Sequence, residues 1–101
     1  MIVIERQIQK VHPEKWEELE ELDKKYDVIE SRLGYPPKKR CRCIVGGHDV
    51  NTLIVERQWE SLAKMEAIIE KAFADPGFQG LQAELTTIVA SVQFELYQPL
   101  P

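Results

Sequence analysis

The feature that most constrains the fold is a change of hydrophobic period along the chain. Residues 2–11 alternate, with Ile2, Ile4 and Ile8 on one parity, which is typical of a β-strand. Residues 13–33 then repeat apolar side chains every three or four positions, as on one face of a helix. The chain therefore begins with a strand that is followed by a long helix.

The rest of the chain repeats this change of period. Residues 38–46 and 51–60 predict two strands joined by a glycine-containing turn, which is the pattern of an antiparallel hairpin. Residues 62–74 predict a second helix, residues 78–86 a short extra helical turn, and residues 87–98 a last strand. The element order is therefore β-α-β-β-α-β.

Residues at the predicted boundaries agree with this order. Pro13 suits the first position of a helix, and Gly34 is a natural residue just after one. Ser61 can cap the second helix, and Asp75-Pro76-Gly77 should stop it. At 101 residues, we predict a single α+β domain covering residues 1–101, with a ferredoxin-like fold. Right-handed crossovers would place both helices on one face of a four-stranded antiparallel sheet.

Composition and charge narrow the expected partners. The net charge of −4 and the pI near 5.2 disfavour binding to nucleic acid. No apolar run has the length of a membrane span or of a secretory signal, since Glu5 interrupts the first one. Two cysteines fit a reducing compartment. We therefore expect a cytoplasmic protein without nucleic-acid or membrane partners.

The strand parities predict which sheet face the helices cover. The more apolar parity is expected to face them: Ile2, Ile4, Ile8, Leu53, Val55, Trp59, Ile88, Ala90, Val92, Phe94 and Leu96. Arg6 and Arg57 fall on the same parity, either with packed stems or because a bulge inverts it locally.

The opposite parity mixes apolar and polar residues. It comprises Val3, Glu5, Gln7, Val11, Cys41, Cys43, Val45, Ile54, Glu56, Gln58, Val89, Ser91, Gln93, Glu95 and Tyr97. A solvated face should carry fewer apolar residues, and a sealed core should not hold unpaired glutamates. The mixture suits a sheet that meets the sheet of a second copy around a partly polar cavity, so we expect a homodimer.

Two stretches of sequence resemble a known family. The start IERQIQKVHPEKWEEL and the stretch ERQWESLAKMEAIIEKAFADPGFQGL look like the dimeric α/β barrel superfamily, in particular NIPSNAP-type proteins and antibiotic-biosynthesis-type monooxygenases. In these proteins an aromatic-rich strand leads into a helix that ends in Asp-Pro plus an aromatic, which Trp59, Asp75, Pro76 and Phe78 match. The resemblance implies a homodimer whose two sheets form one barrel, with a pocket in each half.

The resemblance also implies a range of activities. Members include cofactor-independent oxygenases, isomerases, decarboxylases and haem-degrading enzymes. The haem-degrading members use an Asn on the first strand with a Trp and a His on the second helix. Here Gln7 stands where that Asn would be, and the helix has neither partner, so we expect no cofactor. Our preferred hypothesis is a cofactor-independent monooxygenase or isomerase acting on an aromatic or apolar small molecule. The alternative is a non-catalytic ligand-binding, regulatory or structural dimer module.

Four residues are candidates for proton transfer. Glu5, Glu56 and Glu95 would converge across neighbouring strands, and close carboxylates suit general acid–base chemistry. His48 beside Asp49 in the hairpin turn is a candidate base at a pocket mouth. The alternatives are that the glutamates face water or pair with arginines, and that the turn residues serve the turn alone.

Candidate ligand-binding residues share the mixed face or border it: Gln7, Gln58, Gln93, Tyr35 and Tyr97. The tyrosines could stack on a flat substrate.

Two other clusters have simpler explanations than a site. Cys41, Cys43 and His48 lack a second pair of ligands, so we expect no metal and cysteines packed as small apolar residues. The basic run over residues 38–42 could bind phosphate or carboxylate, but lysines and arginines also protect edge strands from aggregation.

Overall fold

The computed structural model describes residues 1–101 and confirms the predicted element order with one helix added. Four strands form one antiparallel sheet: β1 Val3–Val11, β2 Lys38–Arg42, β3 Thr52–Trp59 and β4 Val89–Tyr97. Three helices cover one face: α1 Trp16–Leu33, α2 Leu62–Phe73 and α3 Pro76–Leu85. A single 3-10 turn, Pro13–Lys15, precedes α1. The strand order β2-β3-β1-β4 is that of the ferredoxin-like fold, as predicted.

The predicted helix boundaries are confirmed by their caps. Gly34 adopts a left-handed φ of 93°, and its N–H donates to the carbonyls of Glu30 and Ser31, which ends α1. The Ser61 hydroxyl accepts a hydrogen bond from the Lys64 amide at the start of α2.

Residues 76–85 form more structure than the sequence predicts. The Asp75 carboxylate accepts from the Phe78 amide at 3.0 Å, and Pro76 occupies the first turn, so this segment starts a third helix. The helix runs ten residues because Phe78 and Leu81 are buried against the core. Asp75-Pro76 can both end one helix and begin the next. The sequence therefore predicts only a short helical turn over residues 78–86.

The predicted orientation of β1 is wrong. Its pairing with β3 places Val3 opposite Trp59, Glu5 opposite Arg57 and Gln7 opposite Val55. Directly opposed residues of a pair point to the same face of a sheet. Val3, Glu5, Gln7, Gln9 and Val11 therefore face the helices, whereas Ile4, Arg6 and Ile8 lie on the outer face. Both alternating sets of β1 residues include apolar side chains. The composition of the strand therefore does not predict which set faces the helices.

The parities of β3 and β4 are largely as predicted. Leu53, Val55 and Trp59 face the helices and are buried. A register shift opposite Lys10 and Val11 places Val89 on the same side, so the prediction for that residue is wrong. Strand β2 ends at Arg42 rather than residue 46, and Cys41 is exposed rather than packed.

The core consists of one large cluster beneath α1 and α3 and a small one of Val3, Trp59 and Met65 beneath α2. The molecule measures 37 × 37 × 17 Å, so it is two layers thick. The three helices lie on one face of the sheet, and on the outer face Ile8 is 6% exposed, whereas Gln93 is exposed and Glu95 is half-buried. None of the helices is long and apolar enough to cross a membrane.

Candidate functional site

A cavity of about 720 Å³ lies between the helix-facing side of the sheet and the three helices. Its apolar wall comes from every layer: Leu19, Leu53, Val55, Phe73, Phe78 and Phe94. This volume falls in the range of small-molecule sites, which are mostly apolar with a few placed polar groups. The polar part of its wall includes Glu5, Gln7 and Gln9 of β1 and Arg57 of β3.

A directed chain of hydrogen bonds runs along β1 in the cavity wall. Gln9 Nε2 donates to Gln7 Oε1 at 3.1 Å, and Gln7 Nε2 donates to Glu5 Oε2 at 2.9 Å. Trp59 Nε1 donates to the other carboxylate oxygen of Glu5 at 2.8 Å. These three β1 residues align because side chains i, i+2 and i+4 of a strand share a face. The Glu5 carboxylate, only 2% exposed, is thus held in one orientation.

Arg57 lies opposite Glu5 on β3, with its side chain 3% exposed. Its guanidinium makes one hydrogen bond to the protein, from Nη2 to Glu30 Oε1 at 3.2 Å, and lies 4.7 Å from the Tyr35 ring centroid. Its buried Nε–H has no acceptor. A guanidinium has five N–H donors, so most of the donor capacity of Arg57 is free for a ligand oxygen.

An ion-pair network closes the cavity beside β2. Lys38 Nζ lies 2.7 Å from Asp23, 3.4 Å from Asp27 and 2.9 Å from Glu30 on α1. Burial is the largest single effect and lowers the pKa of Lys38, but the hydrogen bond to Asp23 and the negative charge of Glu30 together outweigh it, so the pKa is raised. Lys38 is therefore paired with three carboxylates of α1, whereas Arg57 is paired with Glu30 alone. Arg40 is likewise paired, with both oxygens of Glu20.

Tyr35 connects the polar end of the cavity to its aromatic wall. Its ring packs edge-on against Trp59, with centroids 5.3 Å apart, and stacks near Phe78 at 6.2 Å. Burial raises the pKa of Tyr35 to about 12, although the nearby Arg57 charge acts in the opposite direction. The phenol is therefore a neutral wall residue at physiological pH.

The structure brings some predicted site residues together and separates others. Glu5, Gln7 and Tyr35 line the cavity. The other candidates lie elsewhere: Glu56, Gln58, Gln93, Glu95 and Tyr97 on the outer sheet face, and His48 in the exposed hairpin loop. The predicted convergence of the three glutamates is therefore wrong, because the register of β1 turns Glu5 to the opposite side from the other two.

The outer-face residues form pairs of their own. Arg6 contacts Glu56 at 2.6 Å and lies over the Tyr97 ring, 5.0 Å from its centroid. The hydrogen bond to Glu56 raises the pKa of Arg6, and that to Glu95 raises the pKa of Tyr97. In the hairpin loop, the Cys43 thiol donates to the His48 carbonyl at 3.2 Å. No three His, Cys, Asp or Glu side chains converge as a metal site.

Sequence reasoning missed Arg57 and Glu30 as members of the site. Arg57 falls on the buried parity of β3, between Val55 and Trp59, and a buried charge requires a partner. Glu30 follows Tyr26 by four residues, so it continues one stripe of α1. The signal for this pair was a positive charge, Arg57, on the core-facing side of β3 and a negative charge, Glu30, on the core-facing stripe of α1.

The comparisons with known proteins agree with this architecture. No protein-family profile and no curated protein matches the sequence. Among solved structures, a NIPSNAP family protein of Agrobacterium tumefaciens superposes with a TM-score of 0.82 at 17% identity, covering 98% of this chain and 86% of that one. A NIPSNAP-like domain protein of Burkholderia xenovorans gives 0.80 at 14% identity, with 98% and 85% covered.

An enzyme is also similar in structure. SnoaB, a cofactor-independent oxygenase of Streptomyces nogalater, superposes with a TM-score of 0.65 at 14% identity, covering 97% of this chain and 92% of that one. At such identities the likeness shows a shared fold. It confirms at the level of fold the resemblance to NIPSNAP-type proteins and monooxygenases that the sequence predicts.

Proposed function

We propose that this chain is a homodimeric small-molecule-binding enzyme that abstracts a proton from an aromatic or apolar substrate without a cofactor, as an oxygenase or an isomerase. The observation that carries the proposal is the placement of a buried carboxylate and a buried guanidinium, Glu5 and Arg57, side by side in the wall of one apolar cavity. The structural likeness to a cofactor-independent oxygenase supports the reaction class.

The chemistry follows from what the two groups can do. Each Glu5 oxygen accepts one hydrogen bond and retains a lone pair, so the carboxylate can take a proton from an acidic C–H or O–H. The free N–H groups of Arg57 can stabilise the substrate oxygen on which negative charge develops. The resulting anion can pass electrons to dioxygen, which is the oxygenase reaction, or regain the proton at a different carbon, which is the isomerase reaction.

The homodimer is proposed from the outer sheet face, opposite the three helices. Ile8 and Ile54 are cross-strand partners at the centre of this face, with the Arg6–Glu56 pair beside them. A second sheet packed on it would lie about 10 Å away and would enclose Gln58, Gln93 and Tyr97 in a barrel. The substrate cavity lies on the other side of the sheet, so each protomer would keep its own.

The experiment is a panel of quinols, polyphenols and enones, each tested for thermal stabilisation, oxygen uptake and a change in ultraviolet absorbance. We expect at least one compound to raise the melting temperature and to be consumed, with oxygen loss separating oxygenase from isomerase. Compounds that bind without turnover would replace this proposal with a non-catalytic ligand-binding module. A panel without any binding would overturn it.

A further inference from the structure

We infer that the ligand of this cavity is an amphiphile, with two oxygens on its head, one held by Glu5 and the other by Arg57, and a flexible apolar tail leaving over β4. The inference rests on the proposed function of the cavity as a small-molecule site, and adds to it the class and orientation of the ligand. Three independent features carry it: the hydrogen-bonding capacity of the buried end, the polarity gradient across the sheet, and the exposure of the opposite end.

The buried end calls for a head with two different oxygens. Arg57 offers unused N–H donors, including an Nε–H with no acceptor, so it requires an acceptor oxygen. Glu5 offers only lone pairs, so it requires a hydroxyl hydrogen. No ion pair joins Glu5 to Arg57, although they are register partners. A head group that carries a hydroxyl and a second oxygen would satisfy both residues at once.

The sheet changes polarity from one edge of the cavity to the other. Cross-strand pairing places Lys38 of β2, Arg57 of β3, Glu5 of β1 and Leu96 of β4 in one row across the sheet. The next row of β1 places Gln7 beside Phe94. Three strand spacings separate β2 from β4, or roughly 14 Å. A ligand that crosses the sheet meets charged strand residues first and apolar strand residues at the end, while Glu66 and Glu70 of α2 also line the cavity.

The apolar end is open to solvent. Phe73, Phe94 and Val92 all line the cavity, yet they are 60%, 48% and 46% exposed. On the helix-facing side of β4, Val89 is buried in the core, whereas the later residues Val92, Phe94 and Leu96 are left exposed. A compact polar ligand bound at Glu5 would leave these side chains in water, whereas a tail extending over β4 would cover them.

The test is a series of 5-alkylresorcinols with methyl, propyl, pentyl and heptyl tails, measured by titration calorimetry on the whole protein. The resorcinol head carries two ring hydroxyls, one to donate to Glu5 and one to accept from Arg57. Complete burial of each added methylene strengthens binding roughly fourfold. We expect affinity to rise by up to this factor per methylene as far as the pentyl tail, and then to level off outside the mouth.

Two variants locate the tail. Phe94→Ser should weaken pentyl binding about tenfold more than it weakens methyl binding, because the longer tail loses more apolar contact area. Val28→Ser is the control, because Val28 is also an exposed apolar residue but lies on α1 and does not line the cavity. It should bind the whole series like the unmodified protein.

The outcomes separate the inference from the proposed function. Equal affinity for methyl and heptyl tails would overturn the amphiphile and leave a small-molecule site. A tail effect unchanged in Phe94→Ser would overturn the orientation over β4. If no resorcinol binds while quinols or enones of the earlier panel do, the proposed head is wrong. If neither series binds, the proposed function itself fails.

Discussion

Glu5 and Arg57 are direct partners in the pairing of β1 with β3, yet they do not form an ion pair. Arg57 is bound instead by Glu30 of α1, and Glu5 accepts hydrogen bonds from the neutral donors Trp59 and Gln7. A carboxylate and a guanidinium that neutralised each other would offer little to a ligand. Held apart by other partners, each keeps unused hydrogen-bonding capacity facing the cavity.

Replacing Glu5 with glutamine should separate binding from proton transfer. Glu5→Gln is nearly isosteric and keeps an oxygen acceptor for Trp59, but it removes the proposed base. We expect turnover of the substrate found in the panel to fall by about 100-fold or more, since a general base contributes 10²- to 10⁴-fold. Steady-state kinetics measure this, with Glu60→Gln as control, because Glu60 is exposed and pairs only with Lys64. Unchanged turnover in Glu5→Gln would show that Glu5 is not the base.

Glu30→Gln should destabilise the fold more than loss of a surface charge does. Its carboxylate is 14% exposed and accepts from both Lys38 and Arg57, so the substitution removes the one negative charge paired with Arg57 and one of the three paired with Lys38. We expect urea denaturation to show a loss of about 1–3 kcal/mol in the free energy of unfolding. Glu21→Gln, which breaks an exposed pair with Lys24 on the same helix, should cost within about 0.5 kcal/mol. Equal losses in the two variants would contradict a structural role for the buried network.

Tyr35 should make the protein sensitive to alkaline pH. Burial raises its pKa from 10.0 to about 12, so above pH 10 the unfolded chain releases a proton that the folded chain retains. Stability from this group is complete below pH 10 and is lost as pH rises toward 12. Chemical denaturation at several pH values should show this decline, and Tyr35→Phe should make it shallower. A slope identical in Tyr35→Phe would mean that another group is responsible.

Asp75 should show the opposite pH dependence. The Phe78 amide and, secondarily, Arg32 lower its pKa below the ordinary 3.8. Its stabilising effect is present above pH 3.8 and is lost as pH falls through the lowered pKa. At neutral pH we expect melting temperatures to fall in the order unmodified, Asp75→Asn, Asp75→Ala, because asparagine keeps the helix cap and loses only the charge. The difference between the unmodified protein and Asp75→Asn should disappear in strong acid.

The outer sheet face should control the oligomeric state. Light scattering coupled to size-exclusion chromatography should give the mass of a dimer, and Ile54→Lys should reduce it to a monomer. A lysine at this position would bury a charge between the two sheets. Val28→Lys, at an exposed apolar site on α1, should remain dimeric. If the unmodified protein is a monomer at all concentrations, the proposed homodimer and its barrel of two sheets are wrong.

The sequence by itself determined the element order, the fold class and most boundaries, because these depend on local signals. The period of Trp16–Leu33, the left-handed residue Gly34 and the caps Ser61 and Asp75 each act within a few positions of the chain. Only α3 is longer than the sequence predicts, because burial of Phe78 extends it.

Tertiary structure decided which way β1 faces, and with it the composition of the site. The parities of β1 are both partly apolar, so its orientation depends on register with β3, which is fixed by burial of Trp59, Val55 and Leu53. A shift of one residue exchanges the two faces of a strand. That single choice placed Glu5 beside Arg57 rather than beside Glu56 and Glu95. Contacts between residues 52 positions apart in sequence, such as this pair, leave no local pattern from which they could be predicted.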